Sequence, residues 1–175
     1  NKINIEHEIM INDILDRFYT SRLSIRFLTQ QHLELQKNNN NFIGIINEKV
    51  NPYDIIYNTI MDINQMSSII YNKEPIIELD KDSDKNIELV YIDSHINYIL
   101  IEILKNAVRA TMENKLYYNP ISILIKKGEQ DLIIKISDTG GGFDRKNIKK
   151  LFNFTYTTAD INDYINVNNN NSIIS

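Results

Sequence analysis

The sequence contains no cysteine, and it has only five glycines and three prolines among its 175 residues. The missing cysteines exclude a disulfide framework and a thiolate metal site, and they leave the redox compartment open. No apolar run reaches the roughly 18 residues of a membrane span, and no basic, acid-poor leader opens the chain. The formal net charge of −4 argues against nucleic-acid binding, because such proteins usually carry a basic face. A nucleotide held through a metal ion is compatible with this charge.

Apolar residues make up 42% of the chain, which is enough to bury a core of ordinary size in one domain or in one domain plus a fragment. Asparagine runs occur at Asn38 to Asn41 and at Asn168 to Asn171. Such tracts cannot bury enough apolar surface to offset their ordering entropy, so we interpret them as loops or inserts.

Hydrophobic spacing predicts the order of the elements. A single helical stripe predicts a long bundle helix that stops at the Asn38 run; its members are Ile11, Ile14, Phe18, Ile25, Leu28, His32 and Leu35. A second helix is predicted from Asn51 or Pro52 to about Tyr71. Strands are predicted at 76–79 and 87–92 around the polar turn KDSDKN, and at 121–127 and 131–137 around Gly128. A helix from about His95 to Asn114 separates the two strand pairs, and a glycine loop and a short helix follow. The order predicts an α+β sandwich.

The helix between the strand pairs, IEILKNAVRA at 101–110, concentrates its polar groups on one face. With Glu102 at zero, Asn106 falls at about +40°, Arg109 at about −20° and Lys105 at about −60°. The opposite face is predicted to pack on the sheet, and it consists of Leu100, Ile103, Leu104, Ala107 and Thr111. A solvated face with stray salt bridges is the simple interpretation. Against it, asparagine is a poor helix former at an exposed position, and its amide oxygen suits Mg²⁺.

The segment ISDTGGGF, which begins at the end of the last predicted strand, is a second candidate site. Alternation along 131–137 places Asp138 on the apolar side, so we expect a buried carboxylate that needs a partner such as an adenine amino group. Gly140, Gly141 and Gly142 lack Cβ atoms and would let a flat base approach closely, although three glycines after a strand could also form a mobile turn. Neither GxxxxGK[ST] nor GxGxxG occurs, which removes two common phosphate cradles.

The combination of ExxKNAxRA with a later DxGGG resembles the ATP-binding fold of gyrase, the ninety-kilodalton heat-shock proteins, sensor histidine kinases and MutL, called the GHKL or Bergerat fold. Four stretches are also similar to the mitochondrial protein kinases of 2-oxo acid dehydrogenase complexes: LDRFYTSRLSIRFLTQQH, KNAVRATME, DLIIKISD and LFNFTYTTAD. This family comprises the pyruvate dehydrogenase kinases and the branched-chain 2-oxo acid dehydrogenase kinase. The similarity spans about Asp13 to Asp160.

The resemblance implies roles for particular residues. Glu102 would be the general base acting on the substrate serine, and Asn106 would bind the Mg²⁺ that bridges the ATP phosphates. Asp138 would contact the adenine amine. The residues that would line or close the nucleotide pocket are Lys105, Arg109, Ala110, Gly140, Gly142, Leu151, Thr157 and Thr158.

The resemblance also implies cofactors, a cellular location and partners. ATP and Mg²⁺ would be the cofactors, the mitochondrial matrix the location, and the partners the decarboxylase component and lipoyl-bearing core of the dehydrogenase complex. Formation of a homodimer stays open, and so does the target. The segment SRLSIR is more similar to the pyruvate dehydrogenase kinases, whereas Tyr98 is more similar to the branched-chain 2-oxo acid dehydrogenase kinase. Two other functions remain: a sensor histidine kinase using His7 and Glu8, and a non-catalytic GHKL binding module.

The family pattern and this sequence differ at the carboxyl end. The GxGxG lid segment expected after residue 160 is replaced by NVNNNNSIIS. We therefore expect a GHKL-type domain at 42–175 that is truncated before its lid, preceded at 1–41 by the last part of a helical bundle domain. We also expect the chain by itself to bind ATP weakly and to be inactive.

Overall fold

The computed structural model describes residues 5–37, 39–116, 118–154 and 156, with side chains from residue 7 onward. The chain divides into two compact units, one formed by Ile25–Gly142 and the other by Asn1–Ser24 with Phe143–Ser175. The predicted domain boundary between residues 41 and 42 stays a prediction.

The first helix, α1 (Ile5–Leu35), is continuous and ends shortly before the asparagine run, as the sequence predicts. Its apolar stripe lies exposed: the exposed fractions are 56% for Ile14, 57% for Phe18 and 67% for Leu28. Packing of this helix in a bundle stays a prediction, since those three residues are more than half exposed.

Helix α2 (Pro52–Tyr71) begins and ends where local signals place it. The Asn51 side-chain oxygen accepts a hydrogen bond from the backbone N–H of Tyr53 at 3.1 Å, and Pro52 occupies the first turn. Both features favour a helix start, because they satisfy or remove backbone donors that have no helical partner. Asn72 ends the helix in the left-handed conformation, with φ of 54°.

Six strands form two three-stranded sheets in the described part of the chain. The strands β1 (Phe42–Ile43), β2 (Ile46–Val50) and β4 (Leu89–Tyr91) form one antiparallel sheet in the order β1-β2-β4. The strands β3 (Ile77–Leu79), β5 (Ile121–Lys127) and β6 (Leu132–Ser137) form the other, in the order β3-β5-β6. Helix α3 (Asp93–Glu113) lies between β4 and β5 in the chain, and a 3-10 helix, Arg145–Lys150, follows β6.

Strand pairing agrees with the sequence in one case and differs in the other. The hairpin of β5 and β6 is confirmed, with Ile125 opposite Ile134. The predicted pair at 76–79 and 87–92 is wrong, because β3 pairs in parallel with β5 while β4 pairs with β2. The prediction failed because β1 and β2 were not recognised, and β2 offers β4 another edge. The α+β class itself is confirmed.

The core of the Ile25–Gly142 unit lies where α2, α3 and β5 meet. The inward side chains of β5 and the central leucine of α3 have no exposed surface, and they are Ile121, Ile123, Ile125 and Leu104. Burial of each such side chain contributes about 1.5–3 kcal/mol. This packing fixes the orientation of α3, and with it the direction of the polar face.

Candidate nucleotide site

Helix α3 separates its apolar and polar residues as the wheel predicts, with one exception. Leu100, Leu104, Ala107 and Thr111 are buried. Ile103 was also predicted to pack inward, and this is wrong, because its side chain is 46% exposed. It lies about 100° from Glu102, at the edge between the two faces. Val108 is buried on the other edge instead, with 1% exposed.

The polar face of α3 carries two ion pairs and an exposed amide. The Lys105 ammonium lies 3.1 Å from the Glu102 carboxylate, and both side chains are almost half exposed. Asn106 is exposed, and the Arg109 guanidinium lies 3.8 Å from Glu113. Partly exposed pairs of this kind contribute little to stability, so new partners can replace them at small cost.

The glycine loop contacts the polar helix directly. Gly140 is buried, and a Cβ added to it would lie 2.7 Å from the backbone carbonyl carbon of Ala110. Only glycine permits this approach. Because Ala110 lies one turn after Asn106, the contact brings the loop next to the polar face. Gly141 and Gly142 adopt positive φ values of 88° and 71°, a conformation that glycine allows at low cost.

Asp138 lies in the loop, but it is not buried as predicted. Its side chain is exposed, and one carboxylate oxygen accepts a hydrogen bond from the Gly140 N–H at 2.8 Å. The prediction extended the alternation of β6 past its end at Ser137, where the chain turns and the period of two no longer applies.

Asn114 was missed in the sequence. Its side-chain amide donates to the carbonyl oxygen of Ala110 at 2.8 Å and to that of Gly140 at 2.7 Å. An asparagine directly after a helix suggests a cap. Its second partner, 26 residues later, could not be inferred from any local pattern.

None of the three predicted pocket-closing residues belongs to the Ile25–Gly142 unit. Leu151 belongs to the other compact unit and is 42% exposed. Thr157 and Thr158 lie outside the described residues. Their roles stay predictions, as do the roles of the residues on α3 and in the glycine loop.

The donor set fits a nucleotide held through magnesium. Asn106 offers one neutral oxygen in an exposed position, and Mg²⁺ commonly takes one or two protein oxygens and completes its shell with phosphates and water. Among the described residues no three His, Asp or Glu side chains cluster as metal ligands. No helix in the described part of the chain is long and apolar enough to cross a membrane.

Together, a helix with Glu102 and Asn106 and a glycine loop packed on that helix define an ATP-binding domain of the GHKL class. The profile described as "Histidine kinase-, DNA gyrase B-, and HSP90-like ATPase" matches residues 92–170. The profile described as "Mitochondrial branched-chain alpha-ketoacid dehydrogenase kinase" matches residues 1–47. The chain belongs to the family of mitochondrial 2-oxo acid dehydrogenase kinases.

Individual relatives agree with this family. The chain is 36% identical over 161 residues to the mitochondrial pyruvate dehydrogenase kinase of Schizosaccharomyces pombe. The aligned region covers 89% of this chain and 37% of that protein. It is 37% identical over 159 residues to human pyruvate dehydrogenase kinase isozyme 1, covering 83% of this chain and 36% of the relative. The Arabidopsis thaliana kinase is 33% identical over 155 residues, with coverages of 85% and 42%. The chain thus spans well under half the length of these relatives.

Proposed function

We propose that the protein is an ATP-dependent serine/threonine kinase that phosphorylates the decarboxylase component of a mitochondrial 2-oxo acid dehydrogenase complex and thereby inactivates it. Its relatives are mitochondrial pyruvate dehydrogenase kinases, which supports this substrate class. The first profile is that of the branched-chain kinase, so the choice between a pyruvate and a branched-chain target stays open. We propose the mitochondrial matrix as the location and the lipoyl-bearing core as a docking partner.

The observation that carries the proposal is the contact of Gly140 with Ala110. It joins the two sequence motifs, so that one helix face offers groups for phosphates while the adjacent loop offers Asp138 for a base. A Cβ added to Gly142 would have no described atom within 4 Å, which leaves room beside the loop.

Each polar group of α3 has a chemical role in this proposal. Asn106 holds the magnesium ion, which when bound neutralises charge on the phosphates. Lys105 and Arg109 bind phosphate oxygens. Lys105 is paired with Glu102 at 3.1 Å, so binding of phosphate to Lys105 would release the carboxylate. Glu102 then accepts the proton of the substrate hydroxyl.

The test is Glu102→Ala in the full-length protein. We expect phosphorylation of the dehydrogenase to fall by about 10²–10⁴-fold, the usual contribution of a general base. ATP affinity should change little, because Glu102 acts on the hydroxyl and its exposed ion pair with Lys105 is weak. Single-turnover kinetics and titration calorimetry measure the two quantities separately.

Glu129→Ala, at an exposed position in the turn between β5 and β6, is the matched control and should keep full activity. Retained turnover in Glu102→Ala would remove the base role. Acid-labile phosphate on His7 would instead support a histidine kinase, and nucleotide binding without phosphotransfer would support a binding module.

A further inference from the structure

The backbone around Gly140 is held from three sides. Its N–H donates to Asp138 at 2.8 Å, its carbonyl oxygen accepts from Asn114 at 2.7 Å, and its Cα packs against Ala110. The Asn114 amide also donates to the Ala110 carbonyl at 2.8 Å. Both hydrogens of that amide are therefore used, and both partners are carbonyl oxygens.

We infer that Asn114 is a positioning residue for adenine recognition, acting through Gly140 on the carboxylate of Asp138. The inference rests on the proposed function. By fixing the Gly140 carbonyl, Asn114 orients the peptide plane between Gly140 and Gly141. The Gly140 N–H belongs to the preceding peptide plane, and the close packing of Gly140 against Ala110 limits rotation between the two planes. That N–H holds one oxygen of Asp138, and the other oxygen is then directed at the amino group of the base.

The chemistry of the site makes the amide necessary at residue 114. A carboxylate there would place acceptor oxygens against two carbonyl oxygens, because it has no hydrogen to donate. Alanine would remove both donors without adding charge. Neither change touches Lys105 or Asn106, since both lie at least two turns earlier on α3.

The decisive experiment compares Asn114→Asp with wild type in the full-length protein. We expect the KM for ATP to rise about tenfold, as for the loss of one or two hydrogen bonds, with kcat within about twofold. The inhibition constant of magnesium tripolyphosphate, which has no base, should not change. Hydrogen exchange at the Gly140 amide should be faster, while exchange in the interior of α3 stays as in wild type.

Two further variants separate alternative causes. Asn58→Asp introduces the same change at an exposed position of α2, and it should alter none of these quantities. Asn114→Ala should raise the KM for ATP as well, although less than Asn114→Asp. It also excludes an effect of the new charge at the end of α3, and it can be used if Asn114→Asp does not fold.

The results distinguish this inference from the proposed function. If wild type binds ATP and phosphorylates the dehydrogenase but both Asn114 variants keep its KM for ATP, the inference fails and the function stands. Equal losses of ATP and tripolyphosphate binding would also overturn it, because they would indicate general disruption. If wild type does not bind ATP, the proposed function fails, and unchanged Gly140 exchange in Asn114→Asp would reject the backbone role independently.

Discussion

Ser83 and Asp84 complete the hydrogen bonding of the β5 edge after strand β3 ends at Leu79. The Ile125 N–H donates to the Ser83 hydroxyl oxygen at 3.2 Å, and the Lys127 N–H donates to the Asp84 carboxylate at 3.0 Å. The Asp84 N–H in turn donates to the carbonyl of Ile125 at 3.0 Å. Two polar side chains of the KDSDKN turn thus protect a strand edge that would otherwise have unpaired donors.

Asp84 should make the stability of this edge depend on pH. The hydrogen bond from the Lys127 backbone lowers the pKa of its carboxyl below the ordinary value, partial burial opposes this, and the nearby Lys126 adds to the lowering. Because the pKa of Asp84 is lower in the folded state, its carboxylate contributes fully to stability above the unfolded-state pKa of about 3.9. This contribution is lost as pH falls through the folded-state pKa.

The measurement is urea unfolding of wild type and Asp84→Asn between pH 6 and pH 3. We expect wild type to be more stable at pH 6 and the difference to shrink below about pH 4. Asp82→Asn in the same turn is the control. A difference that is constant over this pH range would refute the role of the Asp84 charge.

At the scale of elements, local signals could be read from the sequence and distant contacts could not. The start of α2 at Asn51 and Pro52 and the β5–β6 hairpin depend on neighbouring residues, and both predictions are confirmed. The parallel pairing of β3 with β5 joins residues more than forty positions apart, and no periodicity encodes it. The motifs of α3 and the glycine loop were also readable, whereas the bond from Asn114 to Gly140 depends on the folded geometry.

The junction of α3 with the glycine loop predicts an unequal response to substitution. Gly140→Ala should lower the free energy of unfolding by about 1–3 kcal/mol, because the new Cβ overpacks against the Ala110 backbone. Gly142→Asn should cost less than about 1 kcal/mol, because asparagine tolerates positive φ and the space there is open. Urea unfolding of both variants tests this, and equal losses would contradict the close packing at Gly140.

At the scale of the whole molecule, the proposed site trades stability for binding. Asn106 occupies an exposed position in the middle of α3, where alanine would favour the helix by up to about 0.7 kcal/mol. Helix propensity therefore gives no reason for an asparagine at this position, which agrees with its proposed role in binding a ligand. Binding to the folded state alone returns stability, by about 1.4 kcal/mol when free ligand is ten times the Kd.

Asn106→Ala should consequently separate the effect of helix propensity on stability from the effect of ligand binding. Without nucleotide we expect the variant to be as stable as wild type or slightly more stable, by up to about 0.7 kcal/mol. With MgATP we expect wild type to gain stability with concentration and the variant to gain little, because the magnesium ligand is lost. Thermal unfolding of the full-length protein across an ATP series measures both. Equal stabilisation of variant and wild type by nucleotide would remove Asn106 from the site.

In the 175-residue chain alone, we expect MgATP to stabilise the wild type only slightly. Submicromolar ATP affinity of that chain by calorimetry would contradict this expectation.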